Sequence, residues 1–454
     1  MQITREELEH LSKEELIAII LKLSGELEEL KEKVASLEKN SRNSSKPPSS
    51  DLRKPLKESK TSRRKQKRAQ KKAHQRTTRR QVENPDEIIK HEPEECEKCG
   101  ESLLDKVGNI AGKRQVLDIP PIVPVVVEHQ QIVKECDCGH LSGGSYPDHV
   151  KAPVQFGRTI QSFLIYLHVV GLIPYKRLQQ LCEDLFEVMI CKKSIENILE
   201  RGYHRALPLY GRIMKIVKGC LWVGSDETGY RVGGKRWWMW VWQGLKAVYY
   251  VVSPSRGYKV VKENFGEDYR GILVHDCYSA HNSTKAKGGH QQCHSHLDRD
   301  AQYLIDTYRS KWGYELQELL LASQRARSKI YEVGFDPFKR AKIIEEYERK
   351  LSELIKTPLK GEKILQLQKR LRKHQKSILF FMYFPDVPFE NNSSERAIRM
   401  AKVKQKISGC HRSQHGADRQ AVLLSVMETA KKQNMNLFST INALLDGNLA
   451  FRET

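Results

Sequence analysis

Three acidic residues stand where metal-dependent phosphodiester chemistry would want them. Asp226 follows the apolar run Leu221-Trp222-Val223-Gly224, and Asp276 closes a second run, Ile272-Leu273-Val274-His275. Each reads as a strand that ends in an acid, and in an α/β sheet the crevice beyond the carboxyl ends of the strands is where sites form. Glu395 lies in PFENNSSERAIR, where Asn391 or Ser393 can cap a helix whose first turns carry the glutamate toward the same crevice. Two Mg²⁺ (or Mn²⁺) ions about 4 Å apart can activate the attacking oxygen and stabilise the leaving one. Mg²⁺ takes a few carboxylates together with water and phosphate oxygens, so a catalytic set of Asp226, Asp276 and Glu395 suits it. Glu227 and Glu390 compete with these acids as ligands.

A second metal chemistry is written in the cysteines. Cys96 and Cys99, then Cys136 and Cys138 followed by Gly139-His140, offer four soft ligands on two knuckle-like turns. Paired cysteines at such spacings hold structural Zn²⁺, and the metal supplies folding energy that a small module lacks. His140 could replace one of the cysteines. Cys293 and His296 stand apart from this set; two ligands fall short of the four that structural zinc takes, so a structural packing or hydrogen-bonding role is expected of them.

Basic residues follow the third acid. Arg396 and Arg399 share its helix, and Lys402, Lys404, Lys406, His411, Arg412 and Arg419 continue the positive run. Spaced by three or four, such groups line a helix face that could hold a phosphate backbone; DNA contact is expected of Arg396, Arg399, Lys404 and Arg412. Trp237, Trp238, Trp240 and Trp242 read as alternating positions of a strand, with base stacking open to any one of them.

The elements that must position these groups divide the 454 residues into several domains. Leu16, Leu23, Leu30 and Leu37 recur every seven residues, with Ile20, Leu27 and Val34 between, so residues 1–40 predict a coiled-coil dimerisation helix, or an amphipathic helix packed on its own chain. Residues 41–85 are a basic, disordered linker, read as a sequence-blind DNA tether. Residues 86–150, with the run Ile122-Val123-Pro124-Val125-Val126-Val127, predict a β-rich zinc module. Residues 151–210 turn helical, with a helix-turn-helix candidate for DNA at Arg177–Phe186 and Ser194–Glu200. Strands alternating with a helix over 211–300 predict the first part of a catalytic core, 301–385 a helical insertion, 386–430 the last part of the core with Glu395, and 431–454 a helical end. The fold class expected is thus multidomain α/β around a mixed sheet.

A formal charge of +22 points to nucleic acid as partner. No apolar stretch approaches bilayer length and the start lacks a signal-peptide layout, so a cytoplasmic protein associated with the nucleoid is expected, its ten cysteines reduced. No GxxxxGK[ST] loop is present to bind a nucleotide.

Taken together, the zipper, NSRNSSKPPSSD, the cysteine module, IPYKRL, the DETG strand, HDCYSAHN, and NNSSERAIR followed by GCHRSQHGADRQAVLLSVMETAKK resemble the bacterial insertion-sequence transposases of the IS-sixty-six type over nearly the whole chain. The resemblance implies an RNase H-like core with a DDE triad, which maps onto Asp226, Asp276 and Glu395, and places Cys293 and His296 on the family's C-x-x-H pattern, with His294 and Ser295 where tryptophan and alanine are usual. It also implies DNA transposition: binding of element ends, cleavage, and joining of 3′-hydroxyls to target DNA. The partners would be double-stranded DNA, as terminal repeats and target, a homodimer or higher oligomer, and small accessory proteins of the same transposable element. A nuclease that only hydrolyses, and a non-catalytic regulator that bridges DNA, remain the rival readings.

Overall fold

The computed structural model describes residues 11–37, 39, 43–44, 80–332 and 334–452. It forms two units, Arg53–Val125 and Met1–Leu52 with Val126–Thr454. The basic linker falls outside the described residues apart from 43–44 and 80–85.

Helix α1 (Lys13–Leu37) begins with a capping box: the Glu15 carboxylate accepts the Ser12 amide at 2.8 Å and the Glu15 amide reaches back to Ser12 Oγ at 3.3 Å. Its heptad residues Ile20, Leu23, Leu27, Leu30, Val34 and Leu37 are all exposed. In the smaller unit the chain around Cys96 is pinned by a single bridge, Glu95 to Ser102. The β-branched run Ile122–Val127 forms no strand and is exposed. Pro120, Pro121 and Pro124 remove ladder donors there, so branching alone does not make a sheet. In the larger unit a short antiparallel hairpin pairs β1 (Val133–Glu135) with β2 (Leu141–Gly143) around Cys136 and Cys138.

Next come α2 (Arg158–Ile165), which widens into a π turn at Tyr166–Val170, α3 (Tyr175–Phe186) and α4 (Lys192–Lys218). The sheet follows: β3 (Trp222–Val232), β4 (Lys235–Gln243), β5 (Val248–Ser253), α5 (Tyr258–Asn264), β6 (Ile272–His275), α6 (Ser279–Asn282) and β7 (Gly289–Gln292). Gly233 and Gly234, both at positive φ, turn β3 tightly into β4. The five strands lie in the order β5-β4-β3-β6-β7; β3, β4 and β5 are antiparallel neighbours, whereas β6 and β7 run parallel to β3. Helices α7 (His294–Tyr308), α8 (Lys311–Ile330), α9 (Pro337–Lys356) and α10 (Glu362–Lys373) come next, then α11 (Asn392–Ser408), α12 (Gln414–Lys432) and α13 (Leu437–Asp446).

Because strand side chains alternate, each face of the sheet has its own cover. Val223, Leu273, Trp240 and Trp242 share a core with α2–α4, α12 and α13. On the opposite face, Trp222, Ile272 and Val274 pack against α7–α10, and Tyr230, Met239, Val241 and Tyr250 against α11 and α12. That second face is therefore covered by two groups of helices that meet over the middle of β3. Helix α4 buries Ile195, Ile198, Leu199, Ile213 and Val217 along one side over its 27 residues. No helix of the described residues is long and apolar enough to cross a membrane.

Candidate active site

Strand β3 does not stop at Asp226 but runs on to Val232, paired with β4 throughout. Asp226 is special in another way: its pairing with β6 ends just before it, the parallel register being Trp222 to Ile272, Val223 to Leu273 and Gly224 to Val274. Continued two residues, that register sets Asp226 level with Asp276, the first residue beyond β6. Both acids share the parity of Trp222, Ile272 and Val274, so both face the seam between the two helical groups. The Tyr278 amide donates to Asp276 Oδ1 at 3.0 Å, which turns the chain into α6 and fixes that carboxylate.

Glu395 reaches the same seam in the first turn of α11. Asn391 is the N-cap residue, yet its side chain makes no cap bond; its Nδ2 donates to Ser225 O of β3 at 2.7 Å, and its amide donates to Cys293 Sγ at 3.1 Å. Gln243 Nε2 of β4 donates to Ser394 Oγ at 3.3 Å. The start of α11 thus lies flat on the sheet over Gly224, where a Cβ would meet Ser394 Oγ at 2.4 Å. Arg299 Nη2 lies 3.3 Å and His296 Nδ1 3.8 Å from Glu395 Oε1, both from α7.

The electrostatics join the three acids. Burial first, and then the charges of Asp276, Glu227 and Glu395, push the Asp226 carboxyl well above the usual carboxylate range, against one lowering hydrogen bond from the Glu227 amide at 2.9 Å.

Glu227 points to the opposite face and is fully engaged there. Its Oε1 accepts Arg256 Nε at 2.8 Å and Nη2 at 2.6 Å, and its Oε2 lies 2.8 Å from His281 Nε2. Burial would raise this carboxyl, but the bonds to His281 and Arg256 outweigh it and hold the pKa below normal. The Arg256 guanidinium is sandwiched between the Trp238 and Tyr278 rings, 4.6 and 4.1 Å from their centroids. A charged group built on the buried Glu227 and His281, with Arg256 half-exposed, thereby ties the segment after Asp276 to β3. Glu227→Gln should lower stability by about 3 kcal/mol, because it removes the buried carboxylate that bonds both His281 and Arg256, and only the half-exposed Arg256 can be partly rehydrated. Because the pKa is depressed, this contribution is fully present above about pH 4.3 and is lost as pH falls from there through the lower folded value, so the stability gap between wild type and variant should shrink on acidification; urea titrations at pH 7 and at about pH 3 measure it. Glu390 is spoken for as well, accepting Ser295 Oγ at 2.8 Å and the Asn392 side-chain amide.

Of the basic residues, Arg396, Arg399, Lys402, Lys406 and Arg412 are exposed. Glu395, Arg399, Lys402 and Lys406 fall on one stripe of α11, roughly 6, 10 and 16 Å along the axis beyond the acid. Lys404 is placed otherwise: it is 3% exposed, its ammonium 3.4 Å from His168 Nε2, and burial lowers its pKa to about 8. His411 bonds Tyr230 OH at 2.7 Å, while Arg419 bonds Glu200 and Tyr175 OH, each at 2.8 Å. Lys404 and Arg419 thereby latch α11 and α12 to the helices beneath, and His411 ties the turn between them to β3. Trp240 and Trp242 are core residues of one sheet face, whereas Trp238 stacks on arginine.

Sequence reasoning missed Gly224, Arg256, His281 and Arg299. A glycine inside a strand pattern marks close backbone approach, which was the available signal for Gly224. The other three carry none, since their partners are 29, 54 and 96 residues away.

Each cysteine pair folds as a knuckle. Gly100 and Gly139, both at positive φ, close turns in which their amides bond Cys96 O at 2.9 Å and Cys136 O at 2.8 Å. Amides of Lys98 and Cys99 lower the Cys96 thiol, and that of Cys138 the Cys136 thiol, below the usual range. Thiols primed toward thiolate suit Zn²⁺.

The sequence profile described as "Transposase IS66 family" matches residues 153–419, and "zinc-finger binding domain of transposase IS66" matches 93–139, which spans all four knuckle cysteines. A "family of unknown function" matches residues 1–84. The uncharacterized protein y4hP of Sinorhizobium fredii is 22% identical over 392 residues, 77% of this chain and 69% of its own. The zinc-finger match supports a structural Zn²⁺. Cys96→Ser should cost one zinc per chain and melt this module, leaving the unfolding of the sheet and its helices in place; metal analysis with far-ultraviolet dichroism checks both.

Proposed function

The chain belongs to the Transposase IS66 family, and from that premise we propose that it is a DDE-type DNA transposase with Asp226, Asp276 and Glu395 as its catalytic acids. The observation that carries this is the parallel register that sets Asp226 level with Asp276, with the Asp226 carboxyl raised first by burial and then by the charges of Asp276, Glu227 and, least, Glu395. Such a group calls for a divalent cation, and the donor set, all carboxylate oxygen, fits Mg²⁺ or Mn²⁺. Bound there, a metal pair would stabilise the attacking and leaving oxygens of phosphodiester hydrolysis and strand transfer. The strand order β5-β4-β3-β6-β7 with β3 parallel to β6 supports an RNase H-like core, and α7–α10 are its helical insertion.

The protein groups divide the remaining work. The buried Glu227–Arg256–His281 group holds the Asp276 loop to β3, and the Asn391 and Ser394 contacts hold Glu395 over it. Arg399, Lys402 and Lys406 continue from Glu395 as a track for the DNA backbone, and Arg396 and Arg412, also exposed, add further phosphate contacts. The zinc finger, the helices α3 and α4 and the basic linker grip element ends, and the exposed heptads of α1 pair two copies. Terminal repeats and target duplex are the DNA partners, with small accessory proteins of the element in support, in the cytoplasm on the nucleoid.

Strand transfer with Mg²⁺ on DNA carrying the flanking repeats tests the proposal. Wild type should yield joined products on a supercoiled target and Glu395→Gln none. Cleaved but never joined products would make the protein a nuclease, and unchanged activity in the variant would remove Glu395 from the site.

A further inference from the structure

The C-x-x-H residues are not isolated from the acids. Cys293 Sγ, one nitrogen of His296 and one carboxylate oxygen of Glu395 all lie within 4.8 Å of one another. Cys293 precedes α7 and His296 sits in its first turn, three residues on, so the helix presents both on one side. His296 Nδ1 is buried without a hydrogen-bond partner among the described residues, 3.8 Å from Glu395 Oε1. Cys293 is fully buried, and its sulfur accepts the Asn391 amide at 3.1 Å, the kind of outer contact that supports a bound thiolate. Two ligands read in the sequence become three, with Glu395, half-buried, as the member through which an ion and its water could enter.

We propose that Cys293, His296 and Glu395 form a Zn²⁺ site, distinct from the zinc finger, that draws Glu395 away from Asp226 and Asp276. Tetrahedral zinc with bonds of about 2.0–2.3 Å separates its ligands by roughly 3.3–3.8 Å, so closing the site needs a shift of about 1 Å, which the half-exposed carboxylate can supply. Binding releases the thiol proton to water and leaves the fourth position to a water molecule. A sulfur-nitrogen-oxygen set selects Zn²⁺ over Mg²⁺, whereas the all-carboxylate set does the reverse. Glu395 can serve one set at a time. Zinc at this site is therefore a brake on the activity proposed above, and only this consequence rests on that proposal.

Metal analysis of the full chain after equilibration with Zn²⁺ reads the site directly. Wild type should hold two zinc ions, and Cys293→Ser, His296→Ala and Cys96→Ser one each. A single ion in wild type, or two in Cys293→Ser, overturns the proposal. Should Cys293→Ser fail to fold, a chain with Cys96, Cys99, Cys136 and Cys138 all replaced by serine carries the test: loaded with Co²⁺ it should still show a thiolate-to-cobalt charge-transfer band, and absence of the band is fatal. In Mg²⁺-driven strand transfer the Zn²⁺ concentration for half-inhibition should rise at least tenfold in Cys293→Ser, measured against that variant's own zinc-free rate. Equal sensitivity would mean that zinc acts elsewhere. If no strand transfer is seen at all, the transposase reading fails while the zinc count still decides the site.

Discussion

Asp226→Asn should eliminate strand transfer and, at the same time, make the metal-free protein harder to unfold. The loss of activity follows from removing a charge that would hold the metals, on the order of 10³-fold or more, the scale on which preorganised electrostatic groups matter. The gain in stability follows from the raised pKa, whose first cause is burial and whose next causes are Asp276, Glu227 and Glu395. A carboxyl that ionises less readily folded than unfolded binds more protons in the native state, so it costs stability above about pH 3.9, increasingly so until its folded pKa is passed. Each unit of elevation is worth about 1.4 kcal/mol at neutral pH. The uncharged amide removes that cost, and the melting temperature without metal should rise by at least about 2 °C at pH 7 and converge with wild type near pH 4. Mg²⁺ should then stabilise wild type and not the variant. A variant less stable than wild type at pH 7 would show that Asp226 is satisfied without metal.

Gly224→Ala is expected to disable the site without touching an acid. Its new Cβ would lie 2.4 Å from Ser394 Oγ, 3.0 Å from Asn391 Oδ1 and 3.2 Å from Gln243 Nε2. Ser394 and Asn391 are buried and hold the start of α11 down, so the helix must lift or the bonds to Gln243 and Ser225 must break. Overpacking of this kind costs about 1–3 kcal/mol, and a displacement of Glu395 of about 1 Å can cost about 10²-fold in rate. Ser394→Gly in the same chain clears the nearest atom and should recover a large part of both. Thermal unfolding with strand-transfer rates on the single and double variants decides it; a Gly224→Ala protein that behaves as wild type in both would mean that α11 does not need its close seat on β3.

The two predictions mark where the sequence was legible. Asp226 and Asp276 could be found because each follows a short apolar run, and a strand leaves a one-dimensional trace in hydropathy. The run after Asp226 is strand as well, since β4 pairs with it to Val232, and no local signal says where a strand ends when its partner continues. The same limit produced the opposite result at Ile122–Val127, where branched residues suggested a strand and three nearby prolines denied it partners. In the sequence Lys404 is one more cation of a basic face; its burial beside His168 comes from an element 236 residues away.

By itself the sequence determined the chemistry available: which residues are acids, which thiols are paired at metal spacing, where the positive charge lies, and that strands and helices alternate around a sheet. These are properties of residue type and near neighbours, which a chain carries before it folds. Only the tertiary structure decided allegiance. It set Asp226 level with Asp276 through the parallel register, turned Glu227 to the far face into the hands of Arg256 and His281, and seated Glu395 beside Cys293, His296 and Arg299. Those outcomes depend on contacts between segments tens to hundreds of residues apart, and on the period-two alternation of a strand, where a shift of one residue would have exchanged Asp226 for Glu227.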